Sequence, residues 1–152
     1  MPFVKDGFAL KDTLVNRYIL ESDVLVNLPV AKNHDSVEPT LGMKNLMGIS
    51  GDNRGRWHWQ LHESIADINR VVISHLTVID ATYLMLQNGP TGGSTSYLKR
   101  LDTIIASANV VAADSEGVKL FGRQPKDIAH IALAEKAGIG RTSGYTAQTT
   151  RL

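Results

Sequence analysis

His58 and His62 stand four residues apart in RWHWQLHES, the spacing at which two imidazoles on one helical face can approach a single metal ion or exchange a proton. The zinc-protease pattern wants Glu directly after the first histidine, and here that place belongs to Trp59. A metal shell needs at least three protein ligands, so His34 is the expected third and Asp80 the next in line. Without cysteine, such a site would favour zinc, nickel or iron(II). The same residues have two other readings. His34, His58, His62 and Asp80 can serve as catalytic proton-transfer groups, or the histidine pair can simply form hydrogen bonds within the fold. His75 and His130 read as structural, one preceding a strand and the other inside an amphipathic helix.

Basic groups crowd the connections that carry these histidines. Lys32, Lys44, Arg54 and Arg56 lie close to His34, His58 and His62 in a chain that is otherwise nearly neutral, and such clusters bind carboxylates or phosphates. Asn45 falls within the same segment. Further on, Asn88-Gly89-Pro90-Thr91-Gly92-Gly93 could turn backbone N–H groups toward an anion, although it is neither a dinucleotide fingerprint nor a P-loop. The expected ligand-binding set is therefore Lys32, Lys44, Asn45, Arg56, Asn88, Gly92 and Gly93, against the plainer reading of solvated loops. Trp57 and Trp59 are expected to pack, and Asp114 to bond locally near a helix start. No GxSxG elbow is present, and no cysteine nucleophile exists.

The chain that must position these groups has 152 residues, enough for one domain with a sizeable core. Hydrophobic residues at 43% and charged residues at 20% are ordinary globular values. A net charge of +1 provides no long-range field for gathering nucleic acid. The absence of cysteine rules out a disulfide or an iron–sulfur cluster held by this chain alone, without fixing the compartment. Neither an apolar signal core nor a run of about 20 apolar residues is visible, so no membrane segment is expected and the cytoplasm is the default location.

Residues 1–12 read as a lead-in, and TLVNRYIL at 13–20 as a first short strand. VLVNLP at 24–29 is nearly continuous apolar sequence, as in a strand covered on both faces and ended by Pro29. A short helix is expected over 39–48. From Trp59 to about Ile73, apolar residues at spacings of four, three and four mark a helix, with His58, His62 and Asn69 beside the apolar stripe and Glu63, Asp67 and Arg70 facing solvent. Two more strands follow, LTVID at 76–80 and TIIAS at 103–107. Asn109 caps a helix over about 110–121, and Pro125 opens a last helix that Gly138 stops. This alternation predicts an α/β domain over 1–140, with a mixed, mainly parallel sheet and helices on both faces, and a loose tail over 141–152. If the strands are parallel neighbours, their ends bring Lys32 and His34, Asp80 and Ser107 to one edge, where ligands collect in such sheets.

The ordered segments DVLVNLPVAKNH, LGMKNLMG, RWHWQLHESIADINR, LTVIDA, NGPTGG, VVAADSEGVKLFG and AGIGR resemble the bacterial and archaeal family named domain of unknown function 362, over about residues 22–141. The resemblance implies a redox-associated setting, because members are often joined to ferredoxin-like segments with cysteine-bound clusters. It also singles out Lys32, His34, Lys44, Asn45, Arg56, His58, His62, Asp80, Asn88 and Asp114 as matching polar positions. This chain departs from the family in lacking a cysteine-rich segment and in having little or none of the usual N-terminal strand region, so an incomplete or minimal version of the domain is expected.

Two functions follow from these readings. One is a small-molecule domain that binds an acidic ligand, with proton transfer or a transition metal at its histidines, as part of an iron–sulfur-linked enzyme. The other is a non-catalytic module that docks a ferredoxin-like partner or forms a homo-oligomer, since an incomplete sheet leaves an edge for another chain.

Overall fold

The computed structural model describes residues 4–34, 39–51, 54–89 and 94–147. Its helices and strands are α1 (Arg17–Leu20), β1 (Val26–Asn27), β2 (Val30–Lys32), α2 (Gly42–Asn45), α3 (Leu61–Val71), β3 (Leu76–Met85), β4 (Leu98–Ser107), α4 (Val110–Lys119) and α5 (Ala129–Lys136), with short 3-10 turns between them. The sheet is mixed, and two of its three strand pairings are parallel. β1 and β2 are successive segments along one side of β3, broken at Leu28-Pro29, while β4 runs antiparallel along the other side. The α/β class and the mixed, mainly parallel sheet are as expected, and the longest ladder is the antiparallel one.

The helices cover one face of this sheet. Along β3 the buried residues are Thr77, Ile79, Ala81 and Leu84, the period of two by which one face meets the core. Among the described residues, the other face is open, with Val26, Leu28, Val30, Leu76 and Ile104 exposed. The expected second helical layer is thus not seen there. Strand ends also differ from expectation. β3 continues past Asp80 to Met85, and the β-branched and aromatic residues beyond the acid sustain it. Because β4 is antiparallel, its final residue Ser107 pairs with Thr77 at the start of β3, whereas Lys32 pairs with Met85 at the opposite end. The polar strand ends therefore do not share one edge.

Local chemistry explains the other departures. TLVNRYIL does not form a strand: Asn16 accepts a hydrogen bond from the Tyr18 N–H and caps α1, leaving Val15 in an isolated bridge with Ser50. Asp67 points inward rather than to solvent. Fully buried, it accepts the N–H groups of Phe8, Ala9 and Leu10, with Arg70 beside it, and so ties down the lead-in segment, whose Val4 and Leu10 join the core. Asn109 caps α4 as expected, accepting from the Val111 and Ala112 N–H groups. Residues 141–147 do not hang loose: Glu135 accepts from the Thr142 N–H and hydroxyl, and the Tyr145 hydroxyl donates to Glu116.

Candidate functional site

The segment LGMKN is held at the sheet by a buried acid from a distant helix. Asp114 in α4 accepts the Gly42 N–H at 2.7 Å and the Met43 N–H at 2.9 Å, groups that a helix start leaves without internal partners. Burial pushes the Asp114 carboxyl up to about 7, against the opposing effect of the two N–H donors. Its bonds reach far along the chain, not locally as expected. Gly42 has to be glycine here, since an added Cβ would lie 2.7 Å from the Thr77 methyl and 2.8 Å from Asp114 Oδ1. On the next turn the Asn45 amide donates to Asn27 Oδ1, Asn27 Nδ2 donates to the Gly42 carbonyl, and Asn69 Nδ2 donates to the Met43 carbonyl. The backbone on either side of Lys44 is thus tied to α4, β1 and α3.

Lys44 is the consequence. It is only 8% exposed, and its Nζ has no hydrogen-bond partner among the described residues. Burial, helped by the charge of Lys32 at the end of β2, lowers its pKa to about 8. The Lys44 charge also acts on two imidazoles. His62 Nδ1 of α3 lies 3.1 Å from His130 Nδ1 of α5, with ring centroids 5.4 Å apart and planes within 15°. One ring must donate and the other accept, so the two hold opposite tautomers, and the contact cannot survive protonation of both facing nitrogens. Burial holds the His130 imidazole down at about 3, with His62 and Lys44 acting in the same direction. Burial also lowers His62, with Glu63 opposing and Lys44 assisting. The result is a neutral imidazole pair near a buried, uncompensated ammonium. Such a group can hold an acidic ligand and accept a hydrogen bond or a proton from it.

Of the sequence-predicted residues, Lys32, Lys44, Asn45 and His62 gather in this region. His58 does not. It sits exposed in the 3-10 stretch Arg54–Gln60, and Gln60 at φ −137°, ψ 63° breaks the helical register that would have aligned it with His62. Asp80 is exposed at mid-strand on the open face, where its carboxylate accepts the Thr82 N–H and is held below the usual range by Thr82. His34 lies half-buried two residues beyond β2. Asn88 is exposed in a turn at φ 55°, and Gly92 and Gly93 fall outside the described residues. Among the described residues no three of His, Asp and Glu converge as a metal shell, so His58, His62 and His34 do not assemble into one there.

Arg56 lies 4.0 Å from Asp12 and lines a separate cleft of about 520 Å³ with Lys11 and Trp59. Trp57 is buried as expected, whereas Trp59 is 88% exposed. His75 is structural as expected, accepting the Leu25 N–H. His130 is the residue that sequence reasoning passed over as structural. Its position on a buried helix face was legible, but its pairing with a residue 68 positions away was not.

The model described as domain of unknown function (DUF362) matches residues 2–119. The chain belongs to this family. A thylakoid-associated protein of Synechocystis sp. is 24% identical to it over 149 residues, covering 93% of this chain and 46% of that protein. The chain thus spans about half the length of this curated relative. No solved structure matches it. Among the described residues of this family member, no helix is long and apolar enough to cross a membrane.

Proposed function

We propose that this DUF362 domain binds a small acidic ligand, a carboxylate or phosphate, at Lys44, with Lys32 adding charge and the His62–His130 pair adding hydrogen-bonding and proton-accepting capacity. One observation carries the reading: Lys44 Nζ is buried with no hydrogen-bond partner among the described residues. Burying a cation without a partner opposes folding, and an anion would satisfy both its charge and its donors. An iron–sulfur cluster in this setting would take its thiolate ligands from outside these 152 residues, which hold no cysteine.

Titrating the protein with inorganic phosphate and with citrate, against chloride at matched ionic strength, tests this by calorimetry and thermal unfolding. Wild type is expected to bind one of the two and unfold at a higher temperature. Lys44→Met should lose that response while its ligand-free form is at least as stable, since it removes a buried charge. Arg56→Ala should keep the response. An unchanged response in Lys44→Met would overturn the reading.

A further inference from the structure

The strand register places Val26 beside Leu76, and Val30, Asp80 and Ile104 in one row across three strands, all on the face turned away from the core. Leu28 is 67% exposed, Ile104 57%, Val30 50% and Val26 45%. Parallel pairings are ordinarily covered on both faces, and isolated surface apolar residues are common, but several exposed apolar side chains gathered on one face, as Val26, Leu28, Val30 and Ile104 are, mark an interaction surface. The free edge of β4 is a poorer candidate. It carries Lys99 and Arg100, and its ladder is irregular near Asp102, which has a φ of 48°. Charges and irregularities of this kind hinder strand-to-strand pairing. The apolar face has a single charged group at its middle, Asp80.

We propose that a second copy of this chain covers the open face, sheet against sheet, about a twofold axis running across the strands. Ten residues of β3 at about 3.4 Å each, across three strand widths of about 4.8 Å, give a face of roughly 500 Å² in projection. That approaches the roughly 600 Å² per partner of the smallest specific interfaces, so the dimer is weak and concentration-dependent. Charge supplies the register. Arg100 pairs with Tyr83, three residues along β3 from Asp80, and so lies about 10 Å from it along the strands. An axis midway between the two sets Arg100 of each copy over the partner's Asp80, where the terminal nitrogens of a guanidinium whose Nε donates to Asp102 at 2.8 Å can meet the second acid. The patch is then self-complementary, as a twofold contact requires, and the acid is not buried alone.

Sedimentation analysis of the whole chain from about 5 to about 500 μM, a range suited to a small interface, tests this. The mass should rise from 16.6 kDa toward twice that value. Val30→Asp and Leu28→Glu replace exposed side chains, so circular dichroism should remain unchanged while the dissociation constant rises at least about tenfold, the size expected when a charge enters an apolar interface. Asp80→Arg and Arg100→Asp should each weaken the dimer, and the two together should restore it. A monomer throughout the range would overturn the proposal. So would a dimer indifferent to Val30→Asp and Leu28→Glu, or charge reversals whose combination fails to rescue.

Discussion

Lys44 and Arg56 lie twelve residues apart, both basic and both expected to bind an acid, yet their surroundings could hardly differ more. Lys44 is buried on a segment tied down by Asp114, Asn27 and Asn69, close enough to His62 and His130 for its charge to act on both. Arg56 sits on an exposed 3-10 turn with exposed His58 and Trp59 and an acid at 4.0 Å. The difference shows that residue type supplies the charge and burial decides how strongly that charge is felt. In water a lysine and a carboxylate are well solvated; inside the fold their free energies depend on every partner they find or lack.

The sharpest way to break the contrast is to remove the clamp that holds Lys44. Asp114→Ala leaves the Gly42 and Met43 N–H groups buried without acceptors, at about 1–3 kcal/mol each. Denaturant unfolding should show a loss of about 2–6 kcal/mol on that basis. A loss below about 0.5 kcal/mol, the scale of an ordinary surface change, would mean that the clamp does not anchor the segment.

The pH dependence of stability sharpens the same contrast through two opposing groups. The folded carboxyl of Asp114 is raised from 3.8 to about 7, so between those values the folded state holds a proton that the unfolded state has lost. Its contribution therefore falls as pH rises from about 4 to 7. The folded imidazole of His130 is lowered from 6.5 to about 3, so the unfolded state holds the extra proton, and its contribution is lost as pH falls below 6.5. His62, lowered in the same sense, adds to the His130 slope, so wild type should be flatter between pH 4 and 6.5 than a protein with either buried group alone. His130→Gln should become less stable as pH rises through that window, and Asp114→Asn more stable, each by up to a few kcal/mol. Parallel slopes in the two variants would contradict this assignment.

The smallest effect belongs to the exposed region. His58→Ala and Arg56→Ala should each change stability by less than about 0.5 kcal/mol, because exposed groups and surface ion pairs contribute little. Calorimetric melting of the two variants checks this, and a large loss in either would show that the turn is coupled to the core.

Much of the framework is legible in the sequence. The apolar run at 24–29, the helical period after Trp59, the Asn109 cap and the α/β alternation all rest on local rules of spacing, capping and turn chemistry. Lys32, Lys44, Asn45 and His62 were also named from sequence, because basic groups and histidines cluster in the connections that carry them. What failed did so where a local signal met a competing one. The β-forming run at 13–20 yielded to the Asn16 cap, and the i, i+4 histidine spacing lost its meaning once Gln60 broke the helix between the pair.

By itself, then, the sequence determined which segments could be helix or strand, that they would form an α/β domain of this family, and which residues carried usable charge. Tertiary structure alone decided that His62 meets His130 rather than His58, that Asp114 clamps a segment more than seventy residues away, that Asp67 turns inward to hold the lead-in segment, and that one sheet face is left uncovered by the described residues. The physical reason is that period and propensity act over a few residues, whereas burial and hydrogen-bond partnership are properties of groups brought together from distant parts of the chain.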